Sequence, residues 1–392
     1  MDISKIRKET PGCDFVIHLN NAGAALMPAI VADAIRDYIT EEEKYGGYET
    51  TDKKAAELEQ FYQYASSLLH CKAQNIAFTT NATDSYNKAL SSIPFKQNDI
   101  ILTTTNDYPS NFIAFLSLQK RLGVKVILVS NTDTGEIDVE DLERKLKKHS
   151  PKLLSITHVP TSSGLVQPIE RIGEVVKKHD CIYLLDACQS LGQMDVNATS
   201  TGADFISGTF RKFLRGPRGA GLLYVSDKAL AMGFEPLFPD LHGADWIDVD
   251  HYKIRTDAKR FEDWETAYAL MMGSSQALAY LLSLGIHNIE QRNKLLVHKL
   301  RTGLAEIPAV KLLDKGQQQC SIVTFQLKGL PEHSAKQYFR DKGINVYTTP
   351  KSAAMIDFEE KGIDWAVRVS SHYYNTEKEI DLLLEAVKAV KA

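Results

Sequence analysis

No C-x-x-C pair occurs in this sequence, and its five cysteines, Cys13, Cys71, Cys181, Cys188 and Cys320, are odd in number. Both facts argue against a disulfide framework and against a zinc site. Cys181 and Cys188 flank Asp186, but no histidine or third cysteine stands beside them at ligand spacing, so no metal is expected. Blocks of like charge are absent too. With 46 basic and 50 acidic residues the net charge is −4, which gives no footprint for nucleic acid or a membrane surface. The opening MDISKIRKET lacks the apolar run of a secretory leader, and this predicts a cytoplasmic protein. One uncharged stretch, Thr266 to Ile286, is long enough to span a bilayer. Gly273, Ser274, Ser275 and Gln276 interrupt its centre, which favours a buried helix joining two domains.

What is present is ordinary for a globular chain of 392 residues: 44% apolar and 24% charged. That length exceeds the usual single core, so two domains are expected. Short β-rich runs alternate with helical stretches between about 75 and 225. The runs are Asn75–Thr79, Ile100–Thr103, Val124–Val129, Leu153–Thr157, Ile182–Leu185, Phe205–Ser207 and Gly221–Val225. Several are almost wholly apolar, as strands buried on both faces must be. The helical stretches include Asp138–Lys148 and Ile169–Lys178. The pattern predicts an α/β protein whose mostly parallel sheet lies between helices. After Ile286 a charged helical stretch, Glu290–Leu304, leads to short runs at Val310–Leu313 and Ser321–Leu327 and a final helix, Glu377–Val390. A smaller C-terminal α/β domain is expected there. The expected division is a large domain over 16–275 and a small one over 276–392 together with 1–15.

Ligands of such sheets bind beyond the carboxyl ends of the strands, so residues just after each run carry the interest. Asp186 closes one run; loop aspartates are also common turn formers. Lys212 follows another, in SGTFRKFLRGPRG, crowded by Arg211, Arg215 and Arg218. Cationic neighbours favour a neutral, nucleophilic amine, although a solvated basic loop has the same composition. Ala82 and Thr83 open a helix whose N-terminus can cradle a phosphate, or Thr83 is a simple N-cap. Tyr108, after a further strand, offers a ring face for stacking or packs as a loop tyrosine. An amine, an acid, an aromatic face and a phosphate cradle are together what pyridoxal 5′-phosphate (PLP) requires.

In this order the segments resemble the class V aminotransferase family, which includes cysteine desulfurases, isopenicillin N epimerase-like proteins and C–S lyases. The resemblance runs from His18 to Asp381 and implies a PLP-dependent transferase fold of type I. NATDSYN resembles the family's phosphate loop, implying Ala82 and Thr83 as phosphate contacts. DYPSN resembles the ring-stacking segment, with Tyr108 on the ring. THVPTSSGLVQP places Thr161 near the cofactor's phenolic oxygen. LLDACQSLGQ matches the Asp-x-x-Gln signature, implying Asp186 at the ring nitrogen and Gln189 at the phenolic oxygen. GTFRKFLRGPRGAGLLYV matches the lysine segment, with Thr209 and Arg211 at the phosphate and Lys212 holding the cofactor covalently. RFEDWET resembles the segment that reaches a partner's cofactor, which implies Thr266 as a contact in trans and a homodimer with shared sites. VRVSSHYYNTEKEID implies Arg368 as the clamp of the substrate carboxylate, and HLNNAGAALMP implies Asn21 beside it.

One departure bears on the reaction. Desulfurases carry a nucleophilic cysteine before the arginine segment, whereas INVYTTPKSAAMIDF has none and Ser352 stands in that place. A hydroxyl cannot form a persulfide. HLNNAGAALMP followed by GGYET resembles C–S lyases acting on cysteine-derived sulfoxides. The first expectation is therefore β-elimination from a cysteine-derived L-amino acid. The alternatives are a desulfurase or selenocysteine lyase-like enzyme, an amino-acid epimerase with His372 or Tyr48 as second base or as structural residues, and an inactive binding protein of the same fold. The substrate expected is a small amino acid, with no nucleic-acid or membrane partner.

Overall fold

A computed structural model of the chain describes residues 1–390. Its larger sheet has seven strands in the order Ile76–Thr79, Gly221–Val225, Phe205–Thr209, Ile182–Asp186, Leu153–Thr157, Ile100–Thr103 and Lys125–Leu128. All run parallel except Gly221–Val225, which is antiparallel to both neighbours. Each corresponds to a run read from the sequence, within a residue or two at the ends. Period-two alternation divides the side chains between two cores. Phe78, Leu154, Ile156, Tyr183, Leu185 and Leu222 face one core, which the helices Ala55–Leu69 and Tyr268–Leu284 cover. Ala77, Leu153, Ile182, Leu184 and Leu223 face the other, under the helices Ala82–Ser92 and Pro109–Leu122. Burial on both faces is why these strands read as unbroken apolar runs.

A second sheet of four antiparallel strands follows, ordered Val310–Leu312, Ile322–Leu327, Trp365–Ser370 and Tyr347–Pro350. Its core takes Leu296, Leu300 and Leu304 from the helix Ile286–Ala305 and Ile380, Leu383 and Val387 from the helix Glu377–Lys388. Thr376 and Glu379 cap that last helix reciprocally.

The two cores do not part where the sequence suggested. Residues 275 and 276 lie inside the helix Tyr268–Leu284, and Met271, Leu278 and Leu281 on both sides of that point pack into the large-sheet core. The change comes within the next helix, where Ile289 joins the large-sheet core and Leu296 the core of the small sheet. Ile6 also belongs to the large-sheet core, while Ile17–His18 pairs with Ile344–Asn345 of the small unit. The N-terminal segment therefore bridges both units. Of the C-terminal stretch assigned to the small domain, 391–392 lie outside the described residues. No single described helix is long and apolar enough to cross a membrane, and Tyr268–Leu284 bends by 79° into its successor.

Candidate active site

At the carboxyl ends of the large-sheet strands lies a cavity of about 230 Å³. Asn81, Ala82, Thr83, Tyr108, Thr161, Asp186, Gln189, Thr209, Arg211 and Lys212 line it, so ten of its walls come from five different loops. Ala82, Thr83, Tyr108, Thr161, Asp186, Gln189, Thr209, Arg211 and Lys212 were all read from the sequence. Asn81 was not, and it is Asn81 rather than Thr83 that caps the helix Ala82–Ser92, accepting from the Asp84 N–H at 3.0 Å. The first-turn N–H groups of Ala82 and Thr83 have no partner within the helix and belong to cavity residues. Gly221 permits this approach: a Cβ there would meet the Asn81 carbonyl carbon at 2.5 Å.

Asp186 ends its strand with both oxygens held. Oδ1 accepts from the Cys188 N–H at 2.9 Å and Oδ2 from Asn111 Nδ2 at 3.1 Å. Lys212 is buried, and its amine makes no hydrogen bond or ion pair among the described residues. Burial brings its pKa down to about 8, with Arg211 and Arg368 adding to the effect and Cys188 and Asp186 opposing it. The arginine crowding read from the sequence is thus a secondary cause, and only Arg211 among those three contributes. Arg218 is exposed, and Arg215 is turned away. Lys212 Nζ lies 6.0 Å from the centre of the Tyr108 ring.

Arg215 is fully buried without a carboxylate partner, at the left-handed φ of 58°. It donates to Thr10 Oγ1 at 2.6 Å, the Leu26 carbonyl at 2.8 Å and the Tyr373 hydroxyl at 2.8 Å. The rings of Tyr373 and Tyr374 lie 5.0 and 4.5 Å from its guanidinium. His372, weighed as a second base, is buried beside the same turn with Nε2 on the Phe213 carbonyl at 2.9 Å. Burial and Arg215 drive its pKa well below the usual value, so it stays neutral. Tyr48 is exposed on the helix Gly47–Lys53 and does not line the cavity.

Arg368, on Trp365–Ser370, reaches the cavity edge through Thr161, donating to its carbonyl and hydroxyl oxygens at 2.9 Å each and to Asn20 Oδ1 at 3.1 Å. Its Nε–H has no partner, and the guanidinium rests 4.6 Å from the Tyr347 ring centre. Burial pushes its pKa down to about 10. A buried guanidinium with no carboxylate and an open donor fits an incoming carboxylate. Asn21, expected alongside it, is engaged elsewhere: Nδ2 donates to the Ser370 carbonyl and Oδ1 accepts from the Tyr374 hydroxyl. Its neighbour Asn20 makes the arginine contact. Thr266 does not line this cavity, and its hydroxyl donates to the Asp263 carbonyl at 2.8 Å.

Besides Asn81 and Asn20, the sequence left Cys188 and Asn111 unassigned. Cys188 lines the cavity; its thiol pKa is raised by burial, then by Asp186. Adjacency to Asp186 was the signal, and it was considered only as a metal ligand. Asn111 was missed because its role depends on a helix crossing beside another strand.

The cavity suits PLP on its own chemistry. It offers an unpartnered amine, a hydrogen-bonded carboxylate, helix N–H donors, and the buried Gln189 Oε1 that lacks any partner. The profile of the family Aminotransferase class-V matches residues 17–383. A curated relative, the probable cysteine desulfurase of Pyrococcus abyssi, is 28% identical, with 99% of this chain and 98% of that protein aligned. The apo structure of a cysteine desulfurase from Thermococcus onnurineus NA1 superposes with a TM-score of 0.91 at 27% identity, over 98% of this chain and 97% of that one. The cystine C–S lyase C-DES, solved with its product cysteine persulfide, shares the fold with a TM-score of 0.87 at 21% identity, over 98% of this chain and all of the other (100%).

Proposed function

The chain belongs to the aminotransferase class-V family and is a PLP-dependent enzyme of cysteine desulfurase-like type, and from that premise we propose that it breaks a carbon–sulfur bond of L-cysteine or a cysteine-derived amino acid. The observation that carries this reading is the unpartnered, buried Lys212 in one cavity with Asp186. Bound PLP supplies an electron sink for a carbanion at the substrate Cα. Lys212, largely neutral above about pH 8, attaches the cofactor and afterwards takes the Cα proton on Nζ. Asp186 keeps the ring nitrogen protonated by charge. The Thr161 hydroxyl, which accepts from Gln189 and Arg368 and keeps its own proton free, would donate at the phenolic edge with Gln189 beside it, and Ala82, Thr83, Thr209 and Arg211 would hold the phosphate. Arg368 takes the substrate carboxylate and so presents the Cα hydrogen to Lys212.

The names of the curated relatives weigh toward sulfur transfer leaving alanine, above the elimination that the sequence put first. Transfer needs a thiolate acceptor, which leaves as a persulfide. Elimination needs only water, and turns a cysteine conjugate into pyruvate, ammonia and a thiol. One observation favours elimination as a second reading. Ser352 sits exposed in the turn Lys351–Ala353 and lines a separate cleft with Phe112, Ile113 and Met355, and it is not among the residues that line the Lys212 cavity. Ser352→Ala is expected to leave carbon–sulfur cleavage within about twofold, as surface changes usually do. Product assay decides between the readings: alanine from free cysteine with a mapped protein persulfide supports transfer, and pyruvate from a cysteine conjugate supports elimination.

The same reading includes a homodimer with shared cavities. Thr266 is displaced from its own cavity, and an unusual apolar surface lies on the segment before it. Phe238, Trp246 and Val249 are 85%, 81% and 87% exposed, on or beside the hairpin formed by Ala244–Asp248 and His251–Ile254. Monomers rarely expose large apolar patches. Trp246→Asp is expected to shift the protein from dimer to monomer in sedimentation and to cost most of the activity. A fully active wild-type monomer at micromolar concentration would contradict the shared site.

A further inference from the structure

Among the described residues, Asp107 is a buried carboxylate with no cation beside it. Oδ1 accepts from the Tyr108 N–H at 2.7 Å, Thr157 Oγ1 at 2.6 Å and Asn111 Nδ2 at 3.0 Å. Oδ2 accepts from Thr103 Oγ1 at 2.6 Å and Ser155 Oγ at 3.2 Å. Five donors compensate a group that would otherwise be costly to bury. They come from the strands Ile100–Thr103 and Leu153–Thr157 and the start of the helix Pro109–Leu122, so this one carboxylate ties three elements together.

Asn111 extends the frame. Its Nδ2 carries two hydrogens, and two carboxylate oxygens lie in reach: Asp107 Oδ1 at 3.0 Å and Asp186 Oδ2 at 3.1 Å. The side chain is buried, so neither bond competes with bulk water. Asp107 thereby fixes the backbone of Tyr108 directly and Asp186 through Asn111. Those are the aromatic face and the acid that meet the cofactor ring.

We propose that Asp107 and Asn111 are positioning residues that hold Tyr108 and Asp186 as one rigid frame around the cofactor ring. The proposal rests on the assignment of Asp186 to the ring nitrogen. A network serving only the fold would have no reason to reach Asp186; this one ends on it. Pre-organising both groups before the cofactor arrives lowers the ordering cost of binding.

The test uses Asn111→Leu, which keeps the branched side-chain shape and removes both bonds, together with Asp107→Asn. Holoenzyme is stripped of cofactor and titrated with PLP. Three quantities are read: affinity, visible circular dichroism per bound cofactor, and melting temperature of the stripped protein. Asn111→Leu is expected to weaken affinity by about tenfold or more, the scale of a hydrogen bond to a charged group, and to reduce the dichroism by about half. Asp107→Asn should act in the same direction, and if it does not fold, Asn111→Leu decides alone. Adding Asn111→Leu to Asp186→Asn should cost little more than Asp186→Asn by itself, because Asn111 acts through that acid. A lowered melting temperature with wild-type affinity and dichroism would mean a purely structural network and overturn the proposal. Wild-type protein that takes up no PLP would overturn the cavity assignment first, and this inference with it.

Discussion

Lys212→Ala is expected to abolish turnover and the visible absorbance of lysine-bound cofactor. No other amine stands ready to replace it: Arg211 is the other basic side chain on the cavity wall, and a guanidinium stays protonated. Loss of both the attachment and the Cα base removes two chemical contributions at once, each worth ~10²-fold or more. The variant should still bind PLP, because the phosphate contacts and Asp186 remain, and it should release the cofactor on dialysis. In the wild type, the rate at which stripped enzyme captures PLP should rise with pH and reach half its maximum near about 8, where burial has brought the amine. The sign follows from the direction of the shift. Below about 8 the ammonium dominates and cannot attack; an ordinary lysine would need a far more alkaline solution. Normal turnover by Lys212→Ala would remove this residue from the mechanism.

Asp186→Asn is the second large effect, with a loss of about 10²-fold or more in turnover and partial retention of cofactor. Two physical reasons combine. A neutral amide cannot hold a protonated ring nitrogen by charge. It also breaks the local hydrogen bonding, because Asp186 accepts from two donors with two different oxygens, the Cys188 N–H and Asn111 Nδ2. Asparagine has one acceptor oxygen, so one buried donor loses its partner. Turnover within a few-fold of wild type would exclude Asp186 from the chemistry. The pH dependence of the cofactor's absorbance offers a second readout, since the ring nitrogen should titrate in the variant over a range where the wild type holds its proton.

The sheet was legible because its strands are buried on both faces, which writes each as a short apolar run. Asp186 and Lys212 were legible because they stand directly after such runs, where parallel sheets place ligands. The less regular parts needed coordinates. Thr83 and Asn81 are both good capping residues, and only the extended backbone of Asn81, at φ −177°, decides between them. Asn20 and Asn21 are adjacent, and which of them meets Arg368 depends on how the loop crosses the small sheet. The boundary between cores was misplaced because an uncharged run looks like a connector, although the helix Tyr268–Leu284 is packed into the large-sheet core along its length. Asp107 and Asn111 lie one turn apart in a loop-to-helix junction, and nothing local marks them as neighbours of Asp186.

The guanidinium of Arg215 has a consequence for the order in which the molecule is made. Its three hydrogen-bond partners are Thr10 and Leu26, far upstream of it, and Tyr373, far downstream. The lysine turn that carries Lys212 is therefore pinned by a residue synthesised more than a hundred positions later. A nascent chain that has completed its seven-stranded sheet has two of the three Arg215 anchors, and lacks the third and Arg368. A product ending before Arg368 would keep every residue of the cavity wall but lack both the Tyr373 anchor and the buried guanidinium beside Thr161.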